Sequence, residues 1–260
     1  MPHPDGAVVQ LLQAIADAYK LPEPMRLEGD YLVAGDAHLP LYNAAWITRL
    51  LSVARKELRR PRKLIFAGDF FNLDVFSAYA QIVPAPTWQQ ERDAARSTIK
   101  AMLSVFDEII MLMGNHERRL QKFTAGAFEE SDLLALITTS DKVKMSPLGY
   151  CIVTSGGQVW RITHPRNYSI NRLIVPGELA LKYEQNIMAF HSHHLGIGWD
   201  RFGRYCIVEG GCLVDPAKLA YVSLDDNKSA VMQNGFVLLR GGVPTLFGAS
   251  PITDWSKYDG

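Results

Sequence analysis

Three short apolar runs in this chain each end in a glycine followed by side chains able to hold a metal ion. Tyr31-Leu32-Val33-Ala34 leads into Gly35-Asp36-Ala37-His38, Leu64-Ile65-Phe66-Ala67 into Gly68-Asp69-Phe70-Phe71-Asn72, and Ile109 to Met113 into Gly114-Asn115-His116-Glu117. The aspartates offer carboxylate oxygens, Asn115 a neutral amide oxygen, and the histidines a nitrogen that binds metal or moves a proton near neutral pH. Further along, His164 closes the run from Val159 to Thr163, and His191-Ser192-His193-His194 follows Ile187-Met188-Ala189-Phe190. The chain has 7 histidines, and all but His3 stand at these places. Histidines serving only the core or the surface would be scattered, so their gathering points to a metal site.

The ordered set Asp36-x-His38, Gly68-Asp69-x-x-Asn72, Gly114-Asn115-His116-Glu117, His164 and His191-x-His193 resembles the calcineurin-like metallophosphoesterase superfamily. The resemblance runs over roughly residues 30 to 195. It implies two metal ions sharing one aspartate. Asp36, His38, Asp69 and His193 would hold the first, and Asp69, Asn115, His164 and His191 the second. His116 would be the histidine that binds no metal and stands beside the leaving group. Two positions depart from the pattern, with Asn72 where Asp is usual and Phe190 where Gly is usual. The change at Asn72 is expected to alter an orienting contact without costing a metal ligand. Alternation along an extended segment would point His191 and His193 the same way and leave His194 on the rim.

The donors are oxygens and imidazole nitrogens with no thiolate, a set better suited to manganese, iron, zinc, nickel or cobalt than to magnesium or calcium. Manganese is taken first. Two divalent ions against Asp36 and Asp69 leave a net positive pocket that suits a phosphate. A water held between such ions has a much lowered pKa and can act as the hydroxide nucleophile, and His116 can protonate the departing alkoxide.

Elements must bring these residues together. Apolar runs that break off at glycine read as strands buried on both faces, with the polar residues at their carboxyl ends, where open α/β sheets hold ligands. Ala44 to Arg60 and Thr87 to Phe106 have helical periodicity between the runs, while Leu73 to Trp88 is irregular. Strand, helix, strand, helix, strand implies right-handed crossovers and a parallel sheet. Glu117 to Lys122 reads as a helix with Glu117 in its first turn; Arg118 and Arg119 are candidates to reach a substrate phosphate, with a solvent-facing role as the alternative. Lys142 to Met145, Tyr150 to Ser155 and Gln158 to Thr163 read as short strands, a change to hairpins that fits the second sheet the resemblance implies. Arg166 and Tyr168, on the loop after His164, are candidates to contact a phosphate and a base or other apolar leaving group. Arg172 to Glu184 reads as helix interrupted at Pro176-Gly177. Trp199 to Tyr205, with Arg201 and Arg204, is expected to shape the mouth of the site. Gly235 to Leu239 and Val243 to Phe247 read as a closing hairpin.

The 260 residues, 48% of them hydrophobic, suffice for one large core. Zero net formal charge gives no broad electrostatic footprint for nucleic acid or anionic lipid. No apolar run approaches the roughly 20 residues that span a bilayer, and the start lacks the basic region of a signal peptide. The three cysteines lack CxxC spacing and read as buried thiols in a reducing cytoplasm. Residues 7 to 19 place Val8, Leu11, Leu12, Ile15 and Ala16 on one helical face, for which packing on the body is favoured over dimerisation. Glu209-Gly210-Gly211-Cys212 lacks the strand and helix setting of a dinucleotide fingerprint.

These readings give an α/β fold, a two-sheet αββα sandwich flanked by helices. An accessory helix fills residues 1–28, the metallophosphoesterase domain 29–250 and a tail 251–260. The expected activity is metal-dependent hydrolysis of phosphodiesters of nucleotides or nucleic acid in the cytoplasm, with no membrane and no identifiable protein partner. The resemblance is closer to the His-x-His branch than to protein Ser/Thr phosphatases, whose arginine-bearing Gly-Asp motif is missing, and the neutral charge favours small cyclic or short substrates. A phosphomonoesterase with the same metals is the alternative. A non-catalytic metal-binding scaffold is the third, and would leave His116 without a task.

Overall fold

The computed structural model describes residues 4–18, 21–77, 83–219, 222 and 231–258. Helix α1 (Pro4–Ala18) and strand β1 (Arg26–Glu28) precede an alternating run of β2 (Tyr31–Ala34), α2 (Ala44–Glu57), β3 (Lys63–Phe66), α3 (Trp88–Leu103) and β4 (Glu108–Met111). Two short helices, α4 (Glu117–Phe123) and α5 (Glu130–Ala135), lead to β5 (Val143–Met145). Then come β6 (Tyr150–Ser155), β7 (Gln158–Thr163), α6 (Ile174–Tyr183), β8 (Asn186–Ala189), β9 (Leu195–Trp199) and β10 (Cys206–Gly210), closed by β11 (Gly235–Arg240) and β12 (Val243–Gly248).

The strands form two six-stranded sheets, ordered β12-β11-β2-β3-β4-β5 and β1-β6-β7-β8-β10-β9. This is the expected two-sheet sandwich, and side-chain alternation shows why it forms. In β2, Tyr31 and Val33 face the second sheet, joining Ile65, Ile110, Trp160, Ile162 and Met188. Leu32 and Ala34 face the other way, onto Trp46, Leu50 and Ile99 of α2 and α3. Every residue of β2 is buried, as a strand covered on both faces requires. On the far side of the sandwich, Ala180 of α6 packs on Ile187, Ala189 and Ile207 of the second sheet. Each large apolar side chain so enclosed contributes about 1.5–3 kcal/mol relative to exposure. Helix α3 is capped by Thr87, whose side chain accepts from Gln90 N while Gln90 reaches back to Thr87 N. That pair satisfies two of the amide donors a helix leaves open at its start.

Several expectations need correction. Val143–Met145 pairs in parallel with β4, so it extends the first sheet and does not open the second. Pro176 and Gly177 lie within α6; a proline in the first helical turn removes an amide that had no partner there anyway. Trp199 pairs with Cys206, the first residue of β10, and Leu195 with Gly210, its last. Strand β9 is thus antiparallel and carries Trp199 to Tyr205 away from the strand ends that hold the histidines. On α1 the apolar face is open, with Val8 56%, Leu11 62%, Leu12 60% and Ile15 50% exposed, so the expected packing on the body is not made. The last residue of the helix expected over 7–19 and part of the stretch 73–88 lie outside the described residues. Strand β1 precedes residue 29 and pairs with β6, and Trp255, beyond residue 250, packs on the core. Cys151 and Cys212 are buried and Cys206 half-buried, all as free thiols. Among the described residues no helix is long and apolar enough to cross a membrane.

Candidate metal centre

Parallel neighbours in register end on the same edge of a sheet, and that edge carries the site. Ala34 pairs with Phe66 and Phe66 with Met111, so Asp36, Asp69 and Asn115 leave β2, β3 and β4 side by side. Thr163 pairs with Ala189 in the second sheet, which sets His164 beside the segment Phe190–His193. The turns that follow are tight. Asp36, His38, Asp69, His191 and His193 have φ of 52°, 47°, 50°, 82° and 59°. Left-handed backbone costs a residue with a side chain about 1–3 kcal/mol, and such strain gathers at functional sites. Backbone bonds hold the turns: Asp36 N donates to Gly68 O at 3.0 Å and His38 N to Asp69 O at 3.0 Å.

Two groups of metal-competent atoms result, each within 4.8 Å of one another: Asp36, His38 and His193, and Asp69, His164 and His191. In the first, His193 Nε2 lies 3.2 Å from Asp36 Oδ1 and 3.2 Å from His38 Nε2. In the second, His164 Nε2 lies 3.3 Å from Asp69 Oδ2 and 2.9 Å from Asn115 Oδ1, and the His191 ring is 5.0 Å from that of His164. Asp69 Oδ2 is also 3.8 Å from His38 Nε2, so one carboxylate reaches both groups. A third combination, His38, Asp69 and His116, satisfies the same distances.

These residues suit divalent ions. Asp36 is fully buried, yet its Oδ1 makes no hydrogen bond. Two Nε2 atoms face each other across the first group, an arrangement a cation satisfies better than a shared proton. Burial, followed by the charge of His116, holds His38 well below its ordinary value, and burial with His164 brings His191 down to about 4. Both are therefore neutral, the state a ligand needs. His164 goes the other way. Burial lowers it, but Asp69 and Asp36 outweigh that and raise it to about 10. Its Nδ1 donates to Ala67 O at 2.9 Å, which leaves Nε2 aimed at the site once its proton departs.

A pH dependence follows from that proton. The raised value means His164 stabilises the metal-free protein fully below 6.5 and loses this contribution as pH rises through about 10. An ion held by His164 would have to expel the proton, so affinity for a divalent ion should rise about tenfold per pH unit around neutrality. Calorimetry in buffers of differing ionisation enthalpy should show about one proton released at pH 7; none released would contradict it.

Glu117 ties the loops together. It is fully buried, and its carboxylate accepts from Asp69 N at 3.0 Å, Phe71 N at 3.1 Å and Gly114 N at 2.8 Å. Burial, then the Asp69 charge, pushes it up to about 7. Its place in the helix's first turn was readable; its grip on three loop amides was not, although its position right after His116 was the available signal. Gly114 is needed for the same approach. A Cβ there would meet Asp69 Oδ1 at 2.1 Å and Asp69 N at 2.4 Å. Gly114→Ala should cost about 1–3 kcal/mol in thermal unfolding and lower the metal content, as an overpacked site must displace the Asp69 turn. Unchanged metal content would refute that fit.

His116 stands beside both groups, its Nε2 3.8 Å from Asp69 Oδ2. Arg119 Nη2 donates to that Nε2 at 3.0 Å, and Arg119 is itself held by Asp74 and by Asn72 O. Nδ1 lies against both Arg119 Nη1, at 2.8 Å, and the Asn72 carbonyl. Burial, with Arg119 adding to it, lowers the His116 pKa, so the ring is neutral in the free site. The backbone carbonyl of Asn72, and not its side chain, contacts His116, and nothing in the structure explains the amide at this position. The Asn72 Nδ2 is buried without a partner. Arg119 is the arginine at the site, whereas Arg118 donates to Pro147 O at 3.2 Å. The reason is rotation of the first turn of α4, which a residue count cannot resolve.

Other candidates fall as follows. Tyr168 is exposed and sets its ring 6.0 Å from that of His191, while Arg166 lines a groove beside the site. His194 is buried and not on the rim, its Nδ1 3.3 Å from Glu209 Oε2 on β10. His191 and His193 do reach the site, but not by alternation; with positive φ their segment is not extended, and the two serve different groups. Phe190 is accommodated by two glycines, since a Cβ at Gly35 would lie 2.8 Å from its Cδ1 and one at Gly210 2.2 Å from its Cζ. Met232, unforeseen, sets its sulfur 3.2 Å from His193 Nδ1.

Residues 30–221 match the family model described as calcineurin-like phosphoesterase. The chain belongs to that family. At family level the calcineurin-like phosphoesterases are metal-dependent, in keeping with the donor set just described. A comparison with curated proteins gives no significant match. Among solved structures, this calcineurin-like phosphoesterase is similar to Vps29 from Chaetomium thermophilum, with 10% identity and a TM-score of 0.45 over 85% of this chain and 96% of that one. Zn-complexed Vps29 from Entamoeba histolytica has 14% identity and a TM-score of 0.42, over 85% and 98% of the two chains. A predicted phosphoesterase from Streptococcus pneumoniae has 12% identity and a TM-score of 0.35, over 85% and 98%.

Proposed function

We propose that the chain is a phosphodiesterase acting on nucleotides or short nucleic acids through two divalent ions, with manganese the first choice. Asp36, His38, Asp69 and His193 would hold one ion, and Asp69, Asn115, His164 and His191 the other. The observation that carries this reading is the single Asp69 carboxylate reaching both buried groups, with His116 beside it. Bound divalent ions would supply Lewis-acid stabilisation of phosphate charge and a water of lowered pKa.

The chain's own residues do the rest. Glu117 fixes the Asp69 and Gly114 turns, so that the carboxylate does not have to be ordered when substrate arrives. The Arg119 guanidinium lies against both ring nitrogens of His116 and holds the ring beside the site. A substrate phosphate that accepts the Arg119 N–H frees Nε2 and raises the imidazole's affinity for a proton, which it takes from solvent and then gives to the leaving oxygen. The exposed Tyr168 ring offers a face for a base or another apolar leaving group. Preference for diesters is supported by the His191-x-His193 motif and by the missing arginine-bearing Gly-Asp motif.

Hydrolysis of a matched aryl phosphodiester and aryl monoester by the manganese-reconstituted protein tests this preference. Faster diester cleavage is expected. Faster monoester cleavage would replace the reading with a phosphatase.

A further inference from the structure

The loop after His164 opens into a groove of about 280 Å³ between β7 and α6, with Arg161, Arg166 and Lys182 in its walls and Glu178 as its one acidic lining residue. Its lining includes Thr163, which directly precedes His164 and pairs with Ala189, two residues before His191. The groove therefore borders the strand end and loop that carry His164.

Its cations are arranged to receive an anion. The Arg161 guanidinium is stacked between two rings, 3.5 Å from the centroid of Tyr150 and 3.9 Å from that of Tyr183. Stacking fixes the plane of the guanidinium while leaving its N–H edge open, which is the geometry for bidentate recognition of phosphate. Among the described residues Arg161, Arg166 and Lys182 make no ion pair, although other surface cations of this chain do. Three unpaired cations against one carboxylate leave a local positive field in a chain whose net formal charge is zero.

We infer that this groove is a subsite for a second phosphate of the substrate, one next to the phosphodiester at the metal centre. The inference rests on the phosphodiesterase reading for the identity of the substrate, and it narrows that substrate to nucleotide chains carrying an additional phosphate. Arg161 is the oriented anchor, and Arg166 and Lys182 add charge from the loop and the helix.

The test is calorimetric binding of dinucleotides with an uncleavable methylphosphonate linkage to manganese-loaded protein. Unphosphorylated, 5′-phosphorylated and 3′-phosphorylated forms are compared. Charge-assisted hydrogen bonds of this kind should tighten one phosphorylated form by about tenfold or more. In Lys182→Ala, at an exposed position, and in Arg161→Gln, that advantage should fall to about threefold or less, with thermal unfolding run to confirm that each variant is folded. Equal binding of all three dinucleotides by the wild type, or an undiminished advantage in both variants, overturns the subsite. Aryl diester turnover is scored on the same wild-type sample, so a failed phosphodiesterase reading shows as missing turnover whatever the groove binds.

Discussion

Asp69→Asn should abolish turnover and leave the protein with fewer than two bound divalent ions. The carboxylate is 1% exposed, and its Oδ2 is 3.3 Å from His164 and 3.8 Å from His38, so both groups lose their common oxygen at once. Burial alone would raise its pKa, yet His164 and His116 outweigh burial and hold it well below the usual carboxylate range. An amide offers no such charge to an ion. The expected fall in kcat is at least about 10⁴-fold, or about 5 kcal/mol of lost transition-state stabilisation. The fold should survive, because asparagine retains the oxygen that accepts from His116 N at 2.9 Å. Metal counting on the folded variant is the check, and two ions retained would show that Asp69 is not shared.

His116→Ala should keep both ions and still lose about 10²–10⁴-fold in rate, most severely for poor leaving groups. A good leaving group departs without a proton and needs the imidazole least, so the dependence of rate on leaving-group pKa should steepen. The geometry makes this a sharp test, because His38, Asp69 and His116 also lie close enough together to hold an ion. If the variant loses metal, His116 is a ligand. If metal stays and all esters slow equally, it has a positioning role only.

The strand ends were legible because a buried parallel strand must be apolar along its length and must stop where the backbone turns, and Gly35, Gly68 and Gly114 mark those stops. Once parallel pairing is assumed, Asp36, Asp69 and Asn115 are neighbours without further information. What failed depended on contacts between distant segments. His194 turns inward because Glu209 arrives beside it on β10, and nothing near His194 in the chain announces that. Choosing between Arg118 and Arg119 required the exact rotation of α4, a matter of one residue in a helix. His191 and His193 were found by a spacing argument whose geometry proved wrong, since left-handed turns bring them in where an extended segment was assumed. For α1, periodicity showed an apolar face but carried no information on whether anything covers it.

The central claim is that one carboxylate joins two ion sites into a single hydrolytic centre. Chelator-stripped protein titrated with manganese, with bound metal and aryl diester turnover measured on the same samples, tests it most directly. The expected result is two ions per chain, with turnover rising only as the second is taken up. Saturation at one ion with full activity, or two ions bound with neither diester nor monoester hydrolysed, would contradict it, the latter leaving a metal-binding scaffold in its place.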